Sequence, residues 1–178
     1  GAINLIGHSM GGQIAATYAG ARPSRVAKLV VLDALTLPDS PSEELPKRLE
    51  SWLDDIQTPP ANRDYLNFDE LALRVAKHHQ LDPETAPYVA QCWGQQQPNG
   101  RVTLLADPRH RARGPLLYRH TEAEVMWKRV TADTLFIDGA SSPFTQLFPN
   151  EERAQRRALF ASHKTELVPK GTHMLHFN

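Results

Sequence analysis

The residues best suited to chemistry are those of Gly7–Gly11, which read Gly-His-Ser-Met-Gly. They follow the apolar run 2–6 and precede a run of small residues at 11–16, so the pattern predicts a strand, a sharp turn and a helix. In such a turn the serine backbone is strained and its hydroxyl is presented at the end of the strand. Side chains two residues before and after the serine would collide with strand and helix, so glycine is expected to be required at both. Ser9 is therefore predicted to be a nucleophile.

A serine hydroxyl attacks a carbonyl group efficiently only when a base removes its proton. The base is expected to be a histidine, and an acidic residue should fix its tautomer and stabilise its charged form. The chemistry indicated by Ser9 is therefore acyl transfer, provided that a histidine and a carboxylate follow later in the chain.

Four stretches of the chain resemble the serine-nucleophile branch of the α/β-hydrolase fold superfamily, most closely bacterial enzymes of the serine hydrolase-like, esterase type. They are Gly7–Gly12, Leu29–Ala34, Thr134–Gly139 and Gly171–His176. The resemblance implies an α/β fold, with a mostly parallel sheet, flanking helices and an inserted helical cap. It also implies hydrolysis of a carboxylic ester through an acyl-enzyme and a Ser-Asp-His triad.

The resemblance implies the chain order serine, acid, histidine. His173 fits the base, because it follows a strand and the turn 170–172, and His176 is the alternative. Two residues are candidates for the acid. Asp33 ends the strand that follows the serine helix, which is one of the two positions known in this fold. Asp138 is the alternative acid, since the stretch 139–143 has serines, Ser141 and Ser142, where many members carry an aspartate.

The residues around Ser9 are expected to complete the site. The backbone N–H of Met10 is predicted to donate to the oxyanion that forms during acyl transfer, helped by the positive end of the following helix. His8 is expected to shape the substrate pocket. A second oxyanion donor is expected outside this chain, so we expect residues 1–178 alone to have little or no activity.

The domain organisation follows from the distribution of predicted elements. Residues 1–37 are predicted to form a core segment with the nucleophile elbow, 38–130 a helical cap, and 131–178 a core segment with the histidine loop. The resemblance implies further strands and helices before the nucleophile elbow, whereas the elbow strand here begins at residue 2. We therefore expect the chain to be the C-terminal part of a larger hydrolase, truncated at both ends.

Composition excludes several classes of function. The chain has 178 residues, with 20 basic and 20 acidic side chains and a formal net charge of zero, which argues against a nucleic-acid or acidic-membrane partner. No apolar stretch is long enough to span a bilayer. A single cysteine, Cys92, suits a reducing compartment, so a cytoplasmic location is expected, although a signal peptide could precede the chain. We expect no cofactor and no metal, because no histidine pair has a suitably spaced third ligand.

The expected partner is a small-molecule ester, and the oligomeric state stays open. The basic run Arg109–Arg113 is expected to be a solvated loop, with binding of an acidic substrate group as the alternative. Other functions compatible with the pattern are an aminopeptidase, a carbon–carbon bond hydrolase, or a ligand-binding protein without catalytic activity.

Overall fold

The computed structural model describes residues 1–177, apart from the side chain of Gln146. The chain forms two compact units. The first contains residues 1–39 and 118–176, and the second contains residues 40–117 together with Phe177. Across the described residues, no helix has both the length and the apolar character that crossing a bilayer would require.

The first unit alternates strands and helices. Its strands are β1 (Ile3–His8), β2 (Val26–Leu32), β5 (Asp133–Gly139) and β6 (His163–Val168). Its helices are α1 (Met10–Ala21), α5 (His120–Trp127), α6 (Pro143–Leu147) and α7 (Asn150–Arg157). The strands β3 and β4 and the helices α2 to α4 belong to the second unit.

The strands of the first unit form one parallel sheet in the order β1-β2-β5-β6. Neighbouring strands pair in regular register over most of their length, with Leu5 opposite Leu29 and Val31 opposite Phe136. Because all the strands are parallel, their carboxyl ends meet at one edge of the sheet. The loops that leave these ends therefore converge, which is the usual place for a site in an open α/β sheet.

The core of the first unit lies between the sheet and its helices. Leu29, Val31 and Phe136 are almost fully buried, and Trp127 of α5 and Phe160 stack beside them. Helix α1 lies against β1 and β2 through small residues, and it also packs on α5. This close packing fixes the direction in which α1 leaves Ser9.

The second unit is mostly helical. Its helices are α2 (Leu45–Gln57), α3 (Phe68–His79) and α4 (Thr85–Trp93), and its antiparallel hairpin consists of β3 (Gly94–Gln96) and β4 (Val102–Leu104). Asn67 caps α3, because its side chain accepts a hydrogen bond of 2.9 Å from the Glu70 backbone N–H. The apolar residues of α2 lie on one face, yet every residue of that helix is at least partly exposed.

Candidate active site

Ser9 occupies a strained turn between β1 and α1. Its φ angle is 54°, a value that residues other than glycine rarely adopt. The turn is held because the Ser9 N–H donates to the Leu32 carbonyl at 2.9 Å, while the Ser9 carbonyl accepts from the Gly12 N–H at 2.9 Å. The side chain is half-buried at the carboxyl end of the sheet, so the hydroxyl remains accessible.

The two glycines of the motif differ in what they do. A Cβ atom on Gly7 would lie 2.3 Å from the Gly11 carbonyl oxygen, so the close approach of strand and helix requires glycine there. The same expectation for Gly11 is wrong within the part of the chain that the structure describes. A Cβ atom on Gly11 would meet no atom within 4 Å.

His173 joins Ser9 to Asp33. Its Nε2 lies 2.9 Å from the Ser9 Oγ, and its Nδ1 lies 2.5 Å from the Asp33 Oδ2. Because an ionised carboxylate can only accept, Nδ1 carries the hydrogen and donates it to Asp33. In the neutral imidazole Nε2 is then free to accept the hydrogen of the Ser9 hydroxyl. This is the arrangement in which a histidine can act as general base towards a serine.

Asp33 lies directly after β2, with its side chain almost fully buried. Its φ angle of 44° lies in the left-handed region, which aspartate tolerates better than most residues. Besides His173, the carboxylate accepts hydrogen bonds from the hydroxyls of Ser142 at 2.5 Å and Thr145 at 3.0 Å. The Gly139 N–H also points to it at 3.4 Å.

These contacts decide the charge of Asp33. Burial raises the pKa of the Asp33 carboxyl, but the hydrogen bonds from His173, Ser142 and Thr145 outweigh it and leave that pKa below 3.8. The carboxylate is therefore ionised at neutral pH. Its negative charge stabilises the positive charge that His173 would acquire as a base.

Asp138, the alternative acid, has other partners. Its buried carboxylate forms an ion pair with Arg153 of α7 at 2.9 Å and contacts the Arg157 guanidinium as well. The Nδ1 of His173 is bonded to Asp33 instead. Of the two acids that the sequence leaves open, the structure brings Asp33 and not Asp138 to the histidine.

The loop that carries His173 follows β6. It packs so closely on the end of β5 that a Cβ atom on Gly139 would lie 2.4 Å from the carbonyl oxygens of Gly171 and Thr172. The imidazole of His173 is flanked by the ring of Phe144, whose centroid is 4.3 Å away, and by that of His8 at 4.6 Å. These neighbours limit the rotation of the imidazole and hold it towards Ser9.

His8 ties the strand end to the histidine loop. Its Nε2–H donates to the His173 backbone carbonyl at 2.7 Å, and its other neighbour is His176, with ring centroids 4.6 Å apart. Burial lowers the pKa of His8, and the charge of a protonated His173 lowers it too, although the bond to the carbonyl opposes them. His176, the alternative base, lies beside His8, while the Ser9 hydroxyl is bonded to His173.

Met10 is the first residue of α1. The backbone N–H groups in the first turn of a helix have no carbonyl partner within that helix, and the helix dipole places partial positive charge there. The Met10 N–H is thus suited to stabilise negative charge that develops near Ser9. Its part in an oxyanion hole stays a prediction.

Among the described residues, no group of three or more His, Cys, Asp or Glu side chains is arranged to hold a metal ion.

Sequence reasoning did not assign a role to Ser142, Thr145 or Phe144. The one available signal was the pair Ser141 and Ser142, which stands where many α/β-hydrolases carry the acid. Helix α6, which was not predicted, brings Thr145 and Phe144 next to Asp33 and His173.

A family model described as alpha/beta hydrolase fold matches residues 1–178. Solved structures that are similar include a thioesterase domain from the curacin biosynthetic pathway, with 24% identity and a TM-score of 0.75. A hypothetical protein from Pseudomonas aeruginosa PAO1 gives 22% and 0.80, and an esterase from Mycobacterium tuberculosis gives 18% and 0.67. These matches cover 99%, 99% and 100% of this chain, which in turn spans 62%, 61% and 56% of theirs. No protein with a curated description matches significantly.

Proposed function

This chain belongs to the alpha/beta hydrolase fold family, and from that premise we propose that it carries the catalytic residues of a serine hydrolase that cleaves carboxylic esters. The observation that carries the proposal is the chain of two hydrogen bonds from Ser9 through His173 to Asp33, 2.9 Å and 2.5 Å long. A buried, ionised carboxylate, a flanked imidazole and an accessible hydroxyl in a strained turn are the parts that acyl transfer needs.

In the proposed reaction the Ser9 Oγ attacks the ester carbonyl carbon while His173 Nε2 takes the hydroxyl proton. The Met10 N–H donates to the oxyanion of the tetrahedral intermediate. As this intermediate collapses, the carbon–oxygen bond to the alcohol breaks, and His173 gives its proton to the departing oxygen. A water molecule then attacks the acyl carbon while His173 takes a proton from it. The bond from the acyl carbon to the Ser9 Oγ breaks, His173 returns the proton to that oxygen, and the carboxylic acid is released. Asp33 stays ionised throughout and stabilises the imidazolium.

Three alternative functions are compatible with the same residues. An aminopeptidase or a carbon–carbon bond hydrolase would use the same Ser9, His173 and Asp33 on a different scissile bond. A ligand-binding member of the fold would keep the residues without turning over a substrate. The thioesterase and esterases among the similar structures are less than 25% identical to this chain, so their likeness supports the fold and leaves the substrate to experiment.

The test is labelling of the full-length protein, rather than of residues 1–178 alone, with a fluorophosphonate probe, followed by a panel of p-nitrophenyl esters, aminoacyl amides and β-diketones. We expect labelling that is lost in Ser9→Ala and retained in Ser141→Ala, a matched control because Ser141 is exposed and lies outside the hydrogen-bond network of Asp33. Turnover should be highest on the esters. A folded wild-type protein that neither reacts with the probe nor hydrolyses any substrate would contradict the proposal and favour a binding protein.

A further inference from the structure

A cavity of about 540 Å³ lies within the second unit, between α3, the end of α4 and the segment that follows β4. This volume falls in the range of roughly 300–1,000 Å³ that is usual for small-molecule sites. Its floor is apolar: Tyr65, Leu71 and Val75 are almost fully buried, and the half-buried indole of Trp93 closes one side. An apolar ligand would gain free energy by leaving water for this floor.

The rim of the cavity carries cationic and imidazole groups. Arg74 and His78 are one helical turn apart on α3 and share a face of that helix, and His110 and Arg111 line the cavity from the segment after β4. No aspartate or glutamate belongs to the described lining. The excess of positive charge contrasts with the formal neutrality of the whole chain.

The two guanidinium groups keep their charge available to a ligand. Arg111 donates to the Ala61 carbonyl at 2.6 Å and to the Asn62 side-chain oxygen at 3.0 Å, both of which are neutral acceptors. Arg74 forms no ion pair with any carboxylate of the described residues. Arg109, by contrast, is neutralised by Asp107 at 2.5 Å. The arginines of the basic run, which was expected to be a solvated loop, therefore differ in their surroundings. Arg109 is paired with a carboxylate, whereas Arg111 lines the cavity.

We propose that this cavity binds a small amphiphile with a hydrocarbon body and an anionic head group, either a carboxylate or a phosphate. The body packs on Leu71, Val75 and Trp93, and the head group meets Arg74 and Arg111 at the rim. Guanidinium groups suit both anions, because their N–H groups can donate in pairs to carboxylate or phosphate oxygens. The site goes beyond the proposed hydrolysis and does not depend on Ser9.

Isothermal titration of the whole chain tests the proposal with four probes of equal chain length: octanoate, octyl phosphate, octan-1-ol and octyltrimethylammonium. We expect binding of octanoate or octyl phosphate, or both, at least about tenfold tighter than that of the neutral and cationic probes. The comparison of the first two identifies the preferred head group. Quenching of tryptophan fluorescence that disappears in Trp93→Phe would locate the ligand in the cavity.

Variants at exposed positions on α3 separate charge recognition from folding. Arg74→Gln should weaken binding of the anionic probe about tenfold, and Arg74→Glu should weaken it further. Lys77→Gln is the matched control, because it removes the same charge from the same helix without touching the cavity. Ser9→Ala should bind as the wild type does, so a failure of the hydrolase proposal leaves this result intact. Equal binding of all four probes, no binding, or equal loss in Arg74→Gln and Lys77→Gln would overturn the inference.

Discussion

The Nδ1 of His173 and the Oδ2 of Asp33 are 2.5 Å apart, although 140 positions separate the two residues in the chain. The sheet topology accounts for this contact. Asp33 follows β2, His173 lies in the loop after β6, and β2, β5 and β6 pair in parallel, so both residues emerge at the same edge. Ser9 follows β1 at that edge as well. Parallel pairing thus places three residues that are distant in the chain at one edge of the sheet.

The identity of the acid gives the first prediction. Asp33→Asn should leave the fold intact, because asparagine is of nearly the same size and can still accept from Ser142. Turnover should fall by about 10⁴-fold, since the amide cannot hold His173 in the reactive tautomer or balance its charge. The measurement is ester turnover together with the unfolding midpoint. Near-normal turnover in a folded Asp33→Asn protein would remove Asp33 from the proposed mechanism.

Asp138→Asn should have the opposite consequence. The substitution leaves the guanidinium groups of Arg153 and Arg157 largely buried, each with about one tenth of its side chain exposed, without their carboxylate. We expect the free energy of unfolding to fall by roughly 3 kcal/mol, while the turnover of the folded fraction stays near the wild-type value. Urea denaturation and turnover per active site, counted by probe labelling, measure the two effects separately. Loss of turnover in a fully folded variant would restore Asp138 as the acid.

Ser142 is predicted to be a positioning residue for Asp33. Its hydroxyl is fully buried and donates to the same Oδ2 that accepts from His173. Ser142→Ala removes a hydrogen bond to a charged group, and a cost of about 1.4 kcal/mol in the transition state would lower kcat about tenfold with KM unchanged. Ser141→Ala is the control and should not alter kcat. A change in KM alone would place Ser142 in substrate binding instead.

The sequence predicted much of the fold for identifiable reasons. The family match confirms the α/β-hydrolase fold, and the predicted strand, sharp turn and helix around Ser9 are present as β1 and α1. Apolar runs and the Gly-x-Ser-x-Gly spacing are local signals, so a single sequence reveals them. The proposed catalytic roles of these residues, like the predicted cap at 38–130, stay predictions.

Other features depended on contacts that no local pattern encodes. Asp33 and Asp138 both end an apolar strand, and what distinguishes them is the position of α7, whose Arg153 and Arg157 bind Asp138. The distinction between Arg109 and Arg111 is of the same kind. It requires knowing that Asp107 is turned towards Arg109 while Asn62 approaches Arg111 from a distant part of the second unit.

Gly139 is predicted to be essential for the position of the histidine loop. In Gly139→Ala the added methyl group would overlap the carbonyl oxygens of Gly171 and Thr172, so the loop must move away from β5. We expect the rate of fluorophosphonate labelling to fall at least about tenfold, with a lower unfolding midpoint. Gly114→Ala is the control, since a Cβ atom there meets no described atom within 4 Å. Equal labelling rates in the two variants would show that the loop tolerates the displacement.

The histidines beside the site predict a dependence of stability on pH. Burial lowers the pKa of His176, and the neighbouring His8 and His173 lower it further, whereas in the unfolded chain the group titrates near its ordinary value of 6.5. As the pH falls below about 6.5, the unfolded chain binds a proton that the folded chain does not yet bind, so the free energy of unfolding decreases until the folded pKa is passed. Asp33 does not contribute in this window, because its pKa lies below 3.8.

His176→Gln should therefore reduce the loss of stability between pH 7.5 and pH 5. Glutamine keeps a polar side chain of similar length at this position but cannot bind the proton. Urea denaturation of wild type and variant at the two pH values measures the difference, and the comparison at pH 7.5 serves as the control for any effect of the substitution on packing. We expect the variant to lose less free energy of unfolding than the wild type on acidification. An identical loss in both proteins would mean that His176 titrates alike in the folded and unfolded chains, and the remaining pH dependence would then belong to His8.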